Sequence, residues 1–196
     1  MKVRIYKILK HTSVEGPGIR YCIWFQGCSR HCKGCFANAT HSKDGGKEYD
    51  ADDILSDILA SKTIEGVTFL GGEPFEQPKA LEYLAKNVKG AGLSVLCFTG
   101  GRIEDLKKQY PEILDNIDLL IDGEFQEEER DFSRPWVGSK NQRYHFLTDR
   151  YDDSILTKYK NRIEVNIQKN GVMFINGMGD FEKLNQSLKS DMYTVH

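Results

Sequence analysis

The chain has 196 residues, with 27 basic and 29 acidic side chains and a formal net charge of −2. This length argues for one domain, or one domain with a small appendage, and it buries enough apolar surface to fold without disulfides. The nearly balanced charge excludes the basic footprint of a nucleic-acid-binding protein. No apolar run approaches the ~20 residues that span a bilayer, and residues 1–10 lack the apolar core of a signal peptide. We therefore expect a cytoplasmic protein with no nucleic-acid or membrane partner.

Strand-like and helix-like segments alternate along the first two thirds of the chain. Residues 20–26 are aromatic and β-branched, which favours a strand, and residues 50–60 have helical apolar spacing with Asp50 as the N-cap. Further strand-like runs at 67–70, 93–98 and 117–121 alternate with helix-like segments at 79–88 and 103–110. This order predicts an α/β fold with a mostly parallel sheet. The continuous apolar runs also predict helices on both faces of that sheet.

Each strand-like run leads directly into a polar or glycine-rich segment. These segments are a cysteine loop (residues 27–37), Gly71-Gly72-Glu73-Pro74, Thr99-Gly100-Gly101 and Asp122-Gly123. In parallel α/β folds such segments lie together outside the carboxyl ends of the strands, where ligands bind. We therefore expect segments that are far apart in the sequence to form one site.

The second part of the chain has a different character. Residues 124–142 have no periodicity and predict a long loop, although Trp136 argues against plain disorder. A short helix is predicted at 154–159, and strands at 163–167 and 172–175 flank Asn170-Gly171, a strong hairpin signal. A last helix is predicted at 181–188. These features divide the chain into a domain at 1–148 and a C-terminal extension at 149–196, made of a β-hairpin plus helix.

Three of the five cysteines lie close together. Cys28, Cys32 and Cys35 have the spacing C-x3-C-x2-C, and thiolates are preferred ligands of soft metals and iron–sulfur clusters. Three ligands can hold three irons of a [4Fe–4S] cluster and leave the fourth iron open. The alternative is a structural zinc site completed by His31 or His41, although closed zinc sites usually use two separated cysteine pairs. The other two cysteines, Cys22 and Cys97, lie in apolar runs and are expected in the core.

With these motifs the chain resembles the radical S-adenosylmethionine (radical SAM) superfamily, whose signature is this cysteine spacing. Residues 15–20 (EGPGIR) resemble the glycine–proline–glycine stretch of its glycyl-radical-enzyme activases. The superfamily often has an aromatic residue before the third cysteine. Here Gly34 stands there and Phe36 follows the cysteine, as is typical of the activating protein of anaerobic ribonucleoside-triphosphate reductase. Residues 134–142 (RPWVGSKNQ) also resemble that family. The resemblance covers about residues 5–147 and implies a partial (β/α) barrel.

The resemblance also implies the cofactors. Cys28, Cys32 and Cys35 would hold a [4Fe–4S] cluster that binds S-adenosylmethionine and reductively cleaves it to a 5′-deoxyadenosyl radical, with no further catalytic residue. Glu73 would receive the methionine ammonium group. The implied cofactor contacts are Phe36, Asn38, Gly71, Gly72, Glu73, Pro74, Thr99, Gly100 and Asp122. Asp122 would bind a cation or a ribose hydroxyl, or else cap a turn. Arg20 would pair with a carboxylate, or else be solvated.

The resemblance implies partners as well. The glycyl radical enzyme would be an anaerobic ribonucleotide reductase, and a flavodoxin- or ferredoxin-type protein would supply the electron. The loop carrying Arg134, Trp136 and Asn141 is predicted to contact substrate or partner, since tryptophan and arginine are enriched in interface hot spots. A loop anchored by one buried tryptophan is the alternative. Two other functions stay open: a radical SAM enzyme that modifies a peptide or small metabolite, and a non-enzymatic cysteine-rich metal module.

Overall fold

The computed structural model describes residues 1–167, 169–180 and 184–186. Seven of its strands form one mixed sheet. In chain order they are β1 (Lys2–Thr12), β2 (Arg20–Phe25), β3 (Lys47–Asp50), β4 (Gly66–Gly71), β5 (Ser94–Thr99), β6 (Leu119–Asp122) and β7 (Arg143–Phe146). Their order across the sheet is β3-β1-β2-β4-β5-β6-β7.

The four central strands, β2, β4, β5 and β6, run parallel, which confirms the predicted mostly parallel sheet. The edge strands are antiparallel: β1 and β3 lie at one side of the sheet, and β7 lies at the other. The sequence analysis does not predict β3 or β7. Each has only four residues, KEYD and RYHF, without the apolar run that marks the central strands.

Four helices connect the strands: α1 (Ala51–Ala60), α2 (Pro78–Gly90), α3 (Ile103–Gln109) and α4 (Pro111–Leu114). The helices predicted at 50–60, 79–88 and 103–110 are confirmed. Asp50 caps α1, since its carboxylate accepts the Asp52 N–H at 3.2 Å. The apolar face of α2 is buried, and α3 ends before Pro111, where α4 begins. In the part of the chain that the structure describes, no helix combines the length and apolar character that a membrane crossing requires.

These four helices cover one face of the sheet only. Tyr21, Ile23 and Phe25 of β2 point into the core beneath the helices, whereas Cys22 and Trp24 point to the opposite face. There the sheet meets the 124–142 loop and the C-terminal extension. The prediction of helices on both faces is therefore wrong, because a strand buried by loops is as apolar as one buried by helices. An open sheet with helices on one face is the architecture of a partial (β/α) barrel.

The C-terminal extension contains α5 (Ile155–Lys158), β8 (Ile163–Ile167) and β9 (Met173–Gly177). The two strands pair antiparallel, with Val165 opposite Ile175, and Gly171 in their turn has a φ of 81°. The predicted hairpin is thus confirmed. Of the last predicted helix, 184–186 are helical and the other positions lie outside the described residues. Tyr151 and Ile155 pack against the sheet with Leu96, while the domain boundary at 148/149 stays a prediction.

Arg20 is completely buried, so the solvated alternative is wrong. Its guanidinium donates to the Thr68 hydroxyl at 3.0 Å and to the Ser94 hydroxyl at 2.5 Å. Burial lowers the pKa of Arg20. Its carboxylate partner is reached indirectly: the Tyr151 hydroxyl lies 3.4 Å from the guanidinium and donates to Glu65 at 2.7 Å. A residue of the extension therefore completes the polar network at the start of β2.

Candidate cluster and cofactor site

A cavity of about 540 Å³ lies at the carboxyl ends of the parallel strands. The cysteine loop, the segments that follow β4 and β5, and strand β9 line it. The predicted site residues that it brings together are Cys28, Cys32, Cys35, Phe36, Gly71, Gly72, Glu73, Thr99 and Gly100. The expected convergence of distant segments at this edge of the sheet is therefore observed.

Main-chain hydrogen bonds tie the start of the cysteine loop to the residues that follow the loop. The Gly27 N–H donates to the Thr40 carbonyl at 2.8 Å, and the Cys28 N–H donates to the His41 carbonyl at 3.1 Å. Between these points the loop turns sharply, and His31 has a φ of 49°. Cys28 is buried, whereas its two partners are partly exposed, and all three thiols are free. The loop thus places three thiols along one cavity wall.

The chemistry of this donor set fits an iron–sulfur cluster. Burial raises the pKa values of the Cys28 and Cys35 thiols, so metal binding is what would turn them into thiolates. Among the described residues, no three His, Cys, Asp or Glu side chains converge to hold a single metal ion. Thiols spread along a wall suit a cluster, in which each thiolate binds a different iron. The zinc alternatives His31 and His41 face each other, with their Nδ1 atoms 3.2 Å apart.

The turn after β4 lies directly against the start of the cysteine loop. Gly71 has a φ of 104°, and a Cβ there would meet the Trp24 Cα at 2.7 Å. A Cβ at Gly72 would collide with the Gly27 carbonyl oxygen. The Glu73 N–H donates to that same carbonyl at 2.9 Å. Both glycines are therefore required for the close approach of the two segments that form the site.

Glu73 is buried, with 3% of its surface exposed, and four donors surround its carboxylate. Oε1 accepts from the Thr99 hydroxyl at 2.8 Å and from the Phe75 N–H at 3.2 Å. Oε2 accepts from the Gly100 N–H at 2.9 Å and from Arg30 Nε at 3.1 Å. All four acceptor positions of the carboxylate are thus used. A further cation can bind here only by displacing one of these donors.

Arg30 is the donor best able to leave Glu73. It lies inside the cysteine loop, and its side chain crosses Gly100 so closely that a Cβ there would collide with it. Arg30 also has a second carboxylate partner, because its Nη1 donates to Glu124 Oε1 at 2.7 Å. A ligand ammonium can therefore replace Arg30 on Glu73 while Arg30 keeps an ion pair. Sequence reasoning missed Arg30, whose only signal is its position between two cysteines.

Three other predicted cofactor contacts differ in their placement. Phe36 lines the cavity, and its ring centroid lies 5.7 Å from that of Phe125 and 6.3 Å from that of Phe132. Pro74 begins a one-turn helix behind Glu73 and does not line the cavity. Asn38 is exposed and also lies off the cavity wall. Contact between the Phe36 main chain and the adenine of S-adenosylmethionine stays a prediction.

Asp122 lies outside the cavity wall, with its carboxylate fully buried and occupied by protein donors. It accepts the Ile103 N–H at 2.8 Å, Arg143 Nε at 2.9 Å and Arg143 Nη2 at 2.5 Å, and His145 Nε2 lies 3.1 Å away. Burial opposes ionisation, but these hydrogen bonds outweigh it and hold the pKa of Asp122 below its usual value. The Asp122 carboxylate thus accepts the first N–H of α3, and its contact with a cation or a ribose hydroxyl stays a prediction.

Trp136 is a core residue with 2% of its surface exposed, so it cannot contact a partner as predicted. Its ring centroid lies 5.3 Å from that of Tyr159, and its main-chain N–H donates to Asn161 Oδ1 at 2.7 Å. The Asn161 amide in turn donates to the Arg134 carbonyl at 2.6 Å. The alternative, a loop anchored by one buried tryptophan, is the observed arrangement. The anchor comes from the C-terminal extension, which no local pattern indicates.

Arg134 and Asn141 form hydrogen bonds within the 124–142 loop. Arg134 donates to Asp131 Oδ2 at 2.8 Å and to the carbonyls of Ser139, Lys140 and Gln142 at 3.0 to 3.1 Å. Asn141 Nδ2 donates to the Glu124 carbonyl at 2.8 Å. Asn141 lines a second, neighbouring pocket. Since both side chains are engaged in fixing the loop, their contact with a substrate or partner stays a prediction.

The cavity has a wall that the sequence analysis does not include. Glu15 lines it and is 3% exposed, and its carboxylate accepts the Gly177 N–H at 2.7 Å. Burial raises the pKa of Glu15 to about 7. The residues of β9 line the same side. This pairing of residues 15 and 177 carries no local sequence signal, because the two positions meet only through the fold.

Comparisons with known proteins agree with this geometry. The sequence profile of the 4Fe-4S single cluster domain family matches residues 14–145. An anaerobic ribonucleoside-triphosphate reductase-activating protein from Vibrio cholerae is 32% identical over 143 residues, 69% of this chain and 92% of that protein. The chain belongs to the radical SAM activating-enzyme family. A pyruvate formate-lyase-activating enzyme from Clostridium pasteurianum is 37% identical over 123 residues, 60% of this chain and 50% of that enzyme.

A crystal structure of QueE from Escherichia coli overlaps with a TM-score of 0.42 at 21% identity, over 52% of this chain and 53% of that one. Members of the radical SAM activating-enzyme family hold a [4Fe–4S] cluster and use S-adenosylmethionine, and these are the cofactors of this chain. Family membership excludes the non-enzymatic metal module. The matched region ends at residue 145, before the extension that supplies β9.

Proposed function

We propose that this radical SAM enzyme generates a glycyl radical on a partner protein, and that the partner is an anaerobic ribonucleoside-triphosphate reductase. The observation that carries the proposal is the cavity in which three free thiols lie beside the buried carboxylate of Glu73. The similarity to activating proteins of that reductase supports the choice of partner. A pyruvate formate-lyase is the second candidate partner, supported by the other relative.

We assign different roles to the residues of the cavity. Cys28, Cys32 and Cys35 would hold the cluster, and Glu73 would bind the ammonium group of S-adenosylmethionine after Arg30 leaves it. When bound, these cofactors supply a carbon radical, made by reductive cleavage of the sulfonium, that removes hydrogen from the substrate. The remaining wall keeps water out through the apolar side chains of Trp24, Leu70, Phe98 and Phe174.

The proposal includes an electron donor of the flavodoxin or ferredoxin type. Cys32 and Cys35 are partly exposed, so the loop that would hold the cluster reaches the surface where such a donor can dock. We place the activity in the cytoplasm, because free thiols and a reducible cluster need a reducing compartment.

Anaerobic reconstitution with iron and sulfide tests the proposal. We expect a brown protein with about four irons per chain, which forms 5′-deoxyadenosine from S-adenosylmethionine after reduction. Mixed with the reductase of the same organism, it should produce the electron paramagnetic resonance signal of a glycyl radical on that partner. A colourless protein that binds one zinc and leaves S-adenosylmethionine intact would contradict the proposal.

A small metabolite or a free peptide remains a second candidate substrate. The observation that favours it is β9, which closes one side of the cavity and lies outside residues 14–145, the region that the 4Fe-4S single cluster domain profile matches. Substrate-dependent 5′-deoxyadenosine formation, without a radical on any reductase or lyase, would support this second candidate.

A further inference from the structure

The hairpin contributes five consecutive residues to the cavity wall. A strand that presents one face to a cavity contributes alternate residues, because successive side chains point to opposite sides. A strand seen along its edge contributes consecutive residues. The wall residues are Phe174, Ile175, Asn176, Gly177 and Met178. The edge of β9, with its main-chain groups, therefore faces the cavity.

Hydrogen bonds at the end of β9 show which main-chain groups point to that edge. The Met178 N–H donates to the Arg162 carbonyl, on the β8 side, at 3.1 Å. The Gly177 N–H points the other way and donates to Glu15 at 2.7 Å. Since direction alternates along an antiparallel strand, the N–H and carbonyl of Ile175 also point away from β8. Within the described residues β9 pairs with β8 alone.

Polar contacts fix this edge relative to the site. The Thr12 hydroxyl donates to Glu164 Oε2 at 2.7 Å and accepts from Asn176 Nδ2 at 3.0 Å. Beside them the Phe174 ring meets the Trp24 ring edge-on, with centroids 5.9 Å apart. The hairpin thus contacts β1 and β2, and its edge lines the same cavity as the three thiols.

We propose that the edge of β9 is a docking edge for polypeptide, where the substrate segment adds as a third, extended strand and hydrogen-bonds to the main chain of Ile175. This inference rests on the proposed function and deepens it, since it names an extended peptide segment as the substrate. A glycine has no side chain to recognise, so an enzyme that selects one must bind the main chain and the neighbouring residues. Strand addition to a free edge binds a peptide in that way.

The test uses the full chain and a peptide of about ten residues centred on the radical-bearing glycine of the candidate reductase. Ile175→Pro removes the N–H at the cavity edge without touching the β8–β9 hydrogen bonds. Val165→Pro is the matched control, because Val165 lies opposite Ile175 and its N–H points to the outer edge of β8. We expect Ile175→Pro to weaken peptide binding, measured by fluorescence anisotropy, at least tenfold, and Val165→Pro to change it less than twofold.

A second binding experiment uses two N-methylated peptides and needs no protein variant. Methyl groups on alternate main-chain nitrogens block one edge of the added strand, so one alternate set should abolish binding and the other should preserve it. Hydrogen exchange at the Ile175 amide should slow when the unmodified peptide binds. Equal losses with both proline variants, equal affinity of both methylated peptides, or unchanged exchange at Ile175 would each overturn the docking edge.

Formation of 5′-deoxyadenosine by the reconstituted wild-type protein, without peptide, reports on the proposed function separately. A protein that binds the peptide along β9 but never cleaves S-adenosylmethionine would refute the proposed function and keep the docking edge. If the protein cleaves S-adenosylmethionine but hydrogen exchange at its Ile175 amide is unchanged by the peptide, the docking edge alone is refuted.

Discussion

The cavity has two walls that are built in different ways. The cysteine loop is local: its three thiols lie within residues 28–35, and short-range main-chain contacts shape it. The hairpin wall is long-range, since Gly177 reaches Glu15 across 162 positions and Asn176 reaches Thr12 across 164. The local wall carries the chemistry shared with the activating-enzyme family. The two hairpin strands of the long-range wall lie outside residues 14–145, the region that the family profile matches.

The largest effect is expected from a substitution in the cysteine loop, compared with a substitution of a core cysteine. Cys32→Ala removes one of the three thiols that we propose as cluster ligands, so we expect the cluster colour and 5′-deoxyadenosine formation to fall below detection. Cys97→Ala is the control, because Cys97 is a fully buried core thiol that should leave iron content unchanged. Iron analysis and product chromatography after anaerobic reconstitution measure both. If Cys32→Ala kept a full cluster, the cysteine loop would not be the cluster-binding site.

The next effect concerns the hairpin wall and its pH dependence. Burial raises the pKa of Glu15 from 4.5 to about 7, so the folded chain holds this proton more tightly than the unfolded chain. The protonated Glu15 therefore stabilises the folded chain at low pH. As the pH rises from about 4.5 to about 7, the free energy of unfolding falls by roughly 3 kcal/mol.

Glu15→Gln should remove that loss, so its unfolding free energy should exceed that of the wild type most clearly above pH 7. Urea unfolding between pH 4.5 and 8 measures the difference. Glu82→Gln, on the exposed side of α2, is the control and should keep the wild-type pH slope. A Glu15→Gln variant with the same slope as the wild type would show that Glu15 does not couple the hairpin to pH.

A smaller effect is expected at the carboxylate beside the cysteine loop. Glu73→Gln keeps the shape but removes the negative charge that would hold a ligand ammonium, so the affinity of cluster-loaded protein for S-adenosylmethionine should fall about tenfold. Equilibrium dialysis measures this affinity without turnover. Glu76→Gln is the comparison variant, because the Glu76 carboxylate accepts a hydrogen bond from the Ser29 N–H and does not contact Arg30 through such a bond. Equal affinities for the Glu73→Gln protein and the wild type would exclude Glu73 as the ammonium partner.

The smallest predicted effect has the opposite sign. Arg30 donates to Glu73 and would compete there with the ligand ammonium, so Arg30→Ala should bind S-adenosylmethionine about threefold more tightly. The same dialysis measures it, and Arg30→Lys should stay near the wild type because it keeps a competing charge. Weaker binding by Arg30→Ala would mean that Arg30 contacts the ligand itself, which would move Arg30 from competitor to binding residue.

Local patterns explain which elements were predictable. The capping carboxylate of Asp50, the apolar face of α2 and the Asn170-Gly171 turn each act within a few residues, so composition and spacing reveal them. The edge strands β3 and β7 are stabilised by a neighbouring strand rather than by their own apolar pattern. Asp122 shows the same limit, because a carboxylate after a strand predicts a ligand or a cap equally well. Only the tertiary structure shows that Ile103 and Arg143 donate to this carboxylate.

The sequence by itself determined the parallel core, the hairpin and the close spacing of three cysteines, because each depends on periodicity or spacing within a short segment. Only the tertiary structure decided that Arg30 occupies Glu73, that Trp136 is buried rather than presented to a partner, and that the edge of β9 closes the cavity. These facts depend on the distances between segments far apart in the chain. Such distances are set by how the sheet, the loop and the extension pack together, and no short pattern encodes them.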